Sequence, residues 1–496
     1  MLFVAISATA LGLLPWVLAA HGKCAHYTAE MGNTVIVIDR SPRYCVIGAG
    51  SSGLTAAKHL LERGFSVDVL ERERDLGGNW NYALPCSRVY RSTHMISSKS
   101  FTQYTDFPMP HGFPDYPHHS QVLEYLRAYA HHFGVDRVIE YGTSIERLEP
   151  AEGGQTWHVT LANGVTRRYE GVLIANGHNW SPRWPSYPGE FAGAVLHSAE
   201  YKTPEVFAGK RVLIIGGGNS GCDIAVEASQ NGRAAYHSTR RGYHYIPKYL
   251  FGRPSDALGD RLARRGLPLR VRRAVISAIL RLVNGPAHKS GLPKPDHRLF
   301  ETHPVVNSLL AYYVKHGAVK PKPEVERLDG DRVHFADGTS EQIDVIVYAT
   351  GYNLSFPFID SQHLNWREGR PQLYKYVFHP TYDNLFVAGL IQPDAGLFGL
   401  VDRQCQAISL FLSAARDGLP QADILRQRKA TAAVDFTSGI RYQDSPRHRL
   451  EVEHWGYAKD LERLIDKLDH EERSPHIIRF PIELRQKPRQ NKRKAA

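Results

Sequence analysis

The feature that most constrains this 496-residue chain is a turn that occurs twice. The first copy lies in RYCVIGAGSSGLTAAKHLLERGFSVDVLE, Arg43 to Glu71. An apolar run enters Gly48-x-Gly50-x-x-Gly53, a segment rich in alanine and leucine continues to Gly64, and a second apolar run ends on Glu71. This reads as strand, tight turn, helix and parallel strand. Each part has a physical task. The glycines permit the turn and let the backbone, with Ser52, approach a pyrophosphate. The helix N-terminus faces the negative charge, and Glu71 accepts hydrogen bonds from a ribose.

The second copy, RVLIIGGGNSGCDIAVEASQNG, gives Gly216-x-Gly218-x-x-Gly221 with Asn219 and Ser220 inside the motif. Its next strand, AAYHSTRR, ends on Ser238, Thr239, Arg240 and Arg241 where the first copy ends on an acid. An arginine there accommodates a 2′-phosphate, and an acid would repel one. The two turns therefore ask for different dinucleotides, FAD at the first and NADPH at the second. The competing reading of Arg240 is a surface arginine.

Between and after the turns, WHVTLANGVTRRYEGVLIANG and DRVHFADGTSEQIDVIVYATGY each read as a hairpin feeding a buried strand. The expected fold is α/β, with two Rossmann-like domains and the NADP domain inserted in the FAD domain. The expected boundaries are 1–41 for an N-terminal extension, 42–203 and 327–450 for the FAD-binding domain, 204–326 for the NADP-binding domain, and 451–496 for a C-terminal helix and basic tail.

Apolar content of 42% and charged content of 22% fit an ordinary globular protein. The net charge of +11 raises nucleic acid as a partner, but no zinc-finger spacing or RNA-binding signature accompanies it. Much of the excess lies in Arg261, Arg264, Arg265, Arg270, Arg272, Arg273 and Arg281, expected to cover the NADP domain, and in the tail from Arg485 to Lys494. No nucleic-acid partner is expected, and membrane association is left open without being favoured. The five cysteines (Cys24, Cys45, Cys86, Cys222 and Cys405) form no close pair, so dithiol redox chemistry is not indicated. No metal site is expected either: His118-His119 and His131-His132 are adjacent pairs that point different ways.

The opening run, MLFVAISATALGLLPWVLAA, has three readings: a signal peptide, a short anchor, or a start-site artefact preceding Met31. No basic residue precedes Lys23, and Pro15 interrupts the run, which favours the third. The expected location is cytoplasmic, with export or membrane association left open by this run.

From Tyr44 to Leu412 the chain resembles the flavin-containing monooxygenase family. Beside the two glycine turns, Gly77-Gly78-Asn79-Trp80 resembles the family's GG-x-W turn next to the flavin. Phe191-x-Gly193-x-x-x-His197-x-x-x-Tyr201 fits the fingerprint FxGxxxHxxx(F/Y) at every fixed position. Ala349-Thr350-Gly351-Tyr352 resembles the ATG(F/Y) strand end, and Asp402 and Gln404 match positions near the flavin ring.

The resemblance implies that NADPH reduces FAD and that NADP+ stays bound. Reduced flavin and O2 then form a C4a-hydroperoxide, which oxygenates an amine nitrogen or sulfide sulfur of a small organic substrate. Such chemistry belongs to the cofactor, and the protein positions it and excludes water. His197 is implied to hold NADP+ and the domain junction. A Baeyer–Villiger enzyme, whose fingerprint ends in tryptophan, and a largely uncoupled NADPH oxidase remain alternatives, as does a homo-oligomeric state.

One position departs from the family. Its asparagine beside the oxygen-reaction site falls on Ile96 in HMISSK, and isoleucine has no amide to donate. Either His94, Ser97 or Ser98 takes that role, or NADP+ alone supports the intermediate.

Overall fold

A computed structural model describes residues 25–28, 35–285, 289, 291–431, 440–445 and 448–469. The three readings of residues 1–20 and the basic tail from Arg485 lie outside the described residues.

The chain lays down β1 (Tyr44–Ile47), β2 (Val67–Leu70), β3 (Ile139–Glu140) and β4 (Gly171–Ile174), then β5 (Ala194–His197), β6 (Arg211–Ile215), β7 (Ala234–Ser238), β8 (Val319–Lys322), β9 (Val345–Tyr348) and β10 (Leu385–Val387). These form two five-stranded parallel sheets, ordered β10-β4-β1-β2-β3 and β5-β9-β6-β7-β8. The orders correspond strand for strand. In each, the strand that enters a glycine turn is central, flanked by its own βαβ partner and by a strand that returns from later in the chain. Every residue of β1, β4 and β9 is buried, as expected of parallel strands covered on both faces.

The second sheet takes strands from outside residues 204–326, the stretch that the sequence reading gave to the NADP domain. Its edge strand β5 and its inner strand β9 are Ala194–His197 and Val345–Tyr348. The reason lies in closure of the turn: Ala349, just past β9, packs against Gly216 as Ala175, just past β4, packs against Gly48.

Helix α1 (Ser51–Glu62) follows the first turn and α2 (Asn219–Asn231) the second. The arginine-rich segment forms α3 (Ser255–Arg264) and α4 (Leu269–Asn284). The pair does not simply cover the second sheet, because Asp256 of α3 accepts from the Ser98 N–H at 2.6 Å and Arg272 of α4 donates to Glu453 at 3.0 Å. Helix α5 (Phe398–Arg416) is almost wholly buried and packs on α1 and on α6 (His454–Asp469). Tyr457, Leu461, Leu464 and Leu468 form the buried stripe of α6, at the helical spacing that its sequence displays.

A separate five-stranded sheet joins Ile145–Ala151, Thr156–Leu161 and Thr166–Tyr169 to Val35–Asp39 and Ala25–Thr28. Among the described residues, no helix is long and apolar enough to cross a membrane.

Candidate functional site

Both glycine turns are built by the same close approaches. Gly48 has φ +100° and Gly216 φ +126°, in the region where a side chain is strained. A Cβ on Gly53 would overlap the Gly48 carbonyl oxygen, and one on Gly221 would overlap that of Gly216. The helix N-terminus is thereby pressed onto the strand end, which aims free N–H groups at any anion placed there. Gly50 carries no Cβ toward Gly78, whose own Cβ would lie 3.1 Å from the Gly50 Cα, so the GG-x-W turn rests on the first glycine turn. This backbone cradle, which side chains would fill, fits a dinucleotide pyrophosphate at both turns.

Glu71 lies just past β2 and is buried, accepting from the backbone N–H of Ala49 at 2.6 Å and of Glu73 at 3.0 Å. Burial pushes its pKa up, against the pull of those two N–H groups. A carboxylate has about four acceptor sites, so the turn is fixed and acceptors are left for ribose hydroxyls. The Asn79 side chain accepts from the Arg88 N–H at 2.7 Å, and Trp80 meets Phe398 edge to face at 6.4 Å. Ser52 Oγ lies against Gly389, just past β10.

Asp402 and Gln404, matched to positions near the flavin ring, have these protein partners. Asp402 accepts from Thr55 Oγ1 at 2.7 Å, from His59 Nε2 at 2.8 Å, from the Thr105 N–H at 3.1 Å and from the Thr105 hydroxyl. Burial alone would raise its pKa, but His59 and these hydrogen bonds outweigh it and hold the carboxyl well below the usual range. Gln404 accepts from the Gly389 N–H at 2.9 Å and donates to Tyr457 at 2.7 Å. Both side chains clamp α5 onto the elements that form the first turn.

At the second turn Asn219 accepts from the Val306 N–H at 2.7 Å and donates to the Pro304 carbonyl at 3.2 Å. Ser220 is exposed. Thr239 is buried just past β7, and the exposed Arg240 follows it. Arg240 has no hydrogen-bond or ion-pair partner among the described residues, whereas Arg241 lies close enough to Asp296 to lower that acid's pKa.

The fingerprint stretch joins these parts. A Cβ on Gly193 would lie 2.6 Å from the Asp344 carbonyl oxygen and 2.6 Å from the Phe191 ring, so the turn closes only on glycine. His197 ends β5 beside Tyr348 and is fully buried. Its Nδ1 accepts from the Ala199 N–H at 3.1 Å, which places the proton of the neutral ring on Nε2. Burial lowers its pKa to about 4, so the ring is neutral near pH 7. Nε2 has no hydrogen-bond partner among the described residues; the Gly351 backbone faces the ring and favours its charged form, yet forms no bond of normal geometry with Nε2. Tyr201 donates to Glu227 of α2 and stacks on Phe207 at 5.1 Å. Lys202 donates to the carbonyls of Ser87 at 2.8 Å and Val89 at 3.1 Å.

The HMISSK stretch is tied into the protein. Ser97 Oγ pairs with Thr102 Oγ1 at 2.7 Å, and Ser98 Oγ with Ser100 Oγ at 3.1 Å. His94 is exposed, with Nδ1 2.8 Å from the Ser92 carbonyl and its ring edge-on to His118. Lys99 spans to the Pro110, His111 and Phe113 carbonyls. Sequence reasoning missed Thr55, His59, Thr105, Glu227 and Asn307, which are fixed only by contacts between distant segments and carry no local motif.

A family model described as "Flavin-binding monooxygenase-like" matches residues 41–467. Flavin-containing monooxygenase 5 of Oryctolagus cuniculus is 32% identical over 455 residues, covering 86% of this chain and 82% of that protein. Dimethylaniline monooxygenase [N-oxide-forming] 2 of Pan troglodytes is 33% identical over 74% of this chain and 72% of its own length. Among solved structures, S-allyl-L-cysteine S-oxygenase from Allium sativum has TM-score 0.60 at 21% identity over 86% of this chain and 89% of its own. The open crystal structure of cyclohexanone monooxygenase has TM-score 0.63 at 18% identity over 85% and 97%. With two Rossmann-type sheets, a glycine turn at the head of each and a family match spanning nearly all the described residues, the chain belongs to the flavin-containing monooxygenase family, as an NADPH-dependent flavoprotein that uses FAD.

Proposed function

We propose that the chain oxygenates a soft nucleophile, an amine nitrogen or a sulfide sulfur, on a small organic substrate at the expense of NADPH and O2. The observation that carries this reading is the end of the fingerprint, Tyr201-Lys202, where Baeyer–Villiger relatives have tryptophan followed by proline or aspartate. Tyr201 is committed to α2 through Glu227, and Lys202 to the Ser87 and Val89 carbonyls. The N-oxide-forming and S-oxygenase names of relatives and neighbours agree with it. Ketone oxygenation is the second reading, favoured by the likeness to cyclohexanone monooxygenase and by Ile96 in place of an amide donor.

Bound FAD, reduced by NADPH, supplies the activation of O2. The protein's part is binding and orientation. Gly48, Gly50, Ser52, Gly53 and Glu71 hold FAD, with Gly78, Asn79 and Trp80 closing on it; Asp402 and Gln404 act at one remove by locking α5. Gly216, Gly218, Asn219, Ser220, Gly221, Thr239, Arg240 and Arg241 hold NADPH, at the head of the second sheet. His197, neutral and with Nε2–H free, donates to bound NADP+ and does not relay a proton. The Ser97 and Ser98 hydroxyls pair with Thr102 and Ser100 and His94 faces outward, which weighs against any of them replacing the missing amide.

The test supplies ¹⁸O2 and NADPH to the FAD-loaded protein with a tertiary amine, a sulfide and a cyclic ketone. One labelled oxygen in an N-oxide or S-oxide supports the reading. A labelled lactone, or NADPH consumed with no labelled product from any of the three, refutes it.

A further inference from the structure

Tryptophan is mostly buried on average, and one held half open beside a nucleotide turn asks for an explanation. Trp184 is 49% exposed, although its ring rests on two buried side chains. Its centroid lies 5.5 Å from that of His197 and 5.8 Å from that of Tyr348, the latter edge-on. His197 and Tyr348 are the last residues of β5 and β9, opposite each other in the sheet. Trp184 therefore stands at the carboxyl ends of those strands, the end at which such sheets bind their ligands.

The segment that carries it is held there. Ser181 and Pro182 pair antiparallel with Asn353 and Tyr352. The Arg183 N–H donates to the Gly351 carbonyl at 3.0 Å and its guanidinium to the Thr350 carbonyl at 2.7 Å, while the Thr350 hydroxyl donates back to the Arg183 carbonyl at 2.6 Å. Trp184 is thus fixed to Thr350-Gly351-Tyr352, directly after the Ala349 that closes on Gly216. Three residues on, Tyr187 stacks on Tyr348 at 6.3 Å and feels the Arg240 charge. The run from Trp184 to Tyr187 so extends from His197 toward Arg240.

Strand order says which half of a dinucleotide comes here. The sheet runs β5-β9-β6-β7-β8, with the glycine turn past β6 and Arg240 past β7. A dinucleotide with its 2′-phosphate at β7 and its pyrophosphate at the turn continues over β9 and β5, so its nicotinamide half reaches His197 and Trp184. His197 Nε2 is buried and without a partner among the described residues, and its ring has Trp184 and Tyr352 as neighbours, each at 5.5 Å. A group that accepts from Nε2 comes against these rings, and Trp184 is the more exposed of the two.

We propose that Trp184 is a binding residue for NADP+, its indole face receiving the nicotinamide ring. The oxidised ring is a cation, and tryptophan offers the best aromatic face for one. The proposal rests on the placement of NADPH at the second turn and adds the residue that holds its reacting half.

The test is calorimetric titration of the oxidised, FAD-loaded full chain with NADP+ and with adenosine 2′,5′-bisphosphate, which carries the 2′-phosphate and no nicotinamide. Trp184→Ala should weaken NADP+ about 5- to 150-fold, the worth of a base stacked on an aromatic ring, and leave the bisphosphate within about twofold of wild type. Trp184→Phe, which keeps an aromatic face, should recover most of the loss, and Trp184→Leu, which keeps only bulk, should not. If Trp184→Ala loses its flavin, the phenylalanine and leucine variants decide alone. Unchanged NADP+ affinity in Trp184→Ala, equal loss of both ligands, or recovery by leucine as full as by phenylalanine overturns the assignment. Arg240→Ala checks the placement separately, since it should weaken both ligands. If it weakens neither while Trp184→Ala still separates them, the 2′-phosphate placement is wrong and the Trp184 assignment stands.

Discussion

Arg240→Ala isolates one interaction. Arg240 is exposed at the end of β7 and has no hydrogen-bond or ion-pair partner among the described residues, so removing its side chain costs the fold no more than about 0.5 kcal/mol. What it removes is a guanidinium at the position proposed to recognise a 2′-phosphate. Hydrogen bonds to charged groups are worth about 1.5–3 kcal/mol. At about 1.4 kcal/mol per factor of ten, KM for NADPH rises roughly 10- to 150-fold while that for NADH stays put. The site is exposed, so the effect lies toward the lower end at about 0.15 M salt and grows as salt is removed. Arg241, placed at NADPH as well but already beside Asp296, should matter less, so Arg241→Ala raises the KM for NADPH by a smaller factor than Arg240→Ala. Arg240→Glu should go further and favour NADH, because an acid accepts from a free ribose as Glu71 is placed to do. Initial rates of cofactor oxidation give both KM values. An unchanged NADPH-to-NADH ratio in Arg240→Ala, or a larger loss of NADPH preference in Arg241→Ala than in Arg240→Ala, refutes the assignment.

The remaining predictions concern the scaffold. Gly193→Ala must displace Phe191 or the strand at Asp344, so it should weaken NADP+ binding far more than FAD content; equal loss of both would point to general misfolding. Asp402→Asn removes a buried charge from a four-bond clamp and should cost about 3 kcal/mol, read as a lower apparent Tm with earlier flavin release. Because the Asp402 pKa is depressed in the folded protein, its contribution is present above the ordinary carboxylate range and is lost as pH falls toward the folded value. His197 works in another window: its pKa falls from 6.5 to about 4 on burial, so the unfolded chain binds the extra proton between those values and stability declines as pH drops through them. His197→Asn should flatten that part of the Tm-against-pH curve, and an unaltered slope would show that other histidines carry it.

The legible parts of the sequence were those where backbone geometry itself demands a residue type. Gly48, Gly53, Gly216 and Gly221 stand where any Cβ would overlap a neighbouring carbonyl or force an unfavourable φ, so the motif spacing translates directly into two βαβ turns. The place of β9 was less legible. DVIVYATG reads as a buried strand, but which sheet receives it is decided by Ala349 closing on Gly216, a contact across more than a hundred residues. The same limit hid the role of Asp402. Its position in a helix was readable, whereas its partners Thr55, His59 and Thr105 come from distant segments with ordinary local sequence.

The spacing of the fingerprint can itself be derived. Phe191 and Gly193 are two apart because the ring folds over a residue without Cβ. Gly193 and His197 are four apart because the strand β5, Ala194–His197, separates them, and its register with Val345–Tyr348 sets His197 beside Tyr348 next to Ala349 and the second turn. His197 and Tyr201 are four apart because one tight turn follows, held by Glu200, which accepts from the His197 N–H at 2.8 Å, and by the Tyr201 N–H donating back to the His197 carbonyl at 3.3 Å. That turn delivers Tyr201 to Glu227, which also accepts from Ser92, and Lys202 to the Ser87 and Val89 carbonyls. Helix α2 of the second sheet and the 87–92 segment leading to HMISSK are therefore gripped by successive residues of one connector. A change of one residue in any interval would rotate either His197 away from the second turn or Tyr201 off Glu227, so the motif records a mechanical requirement, that the second sheet be fixed to the 87–92 segment.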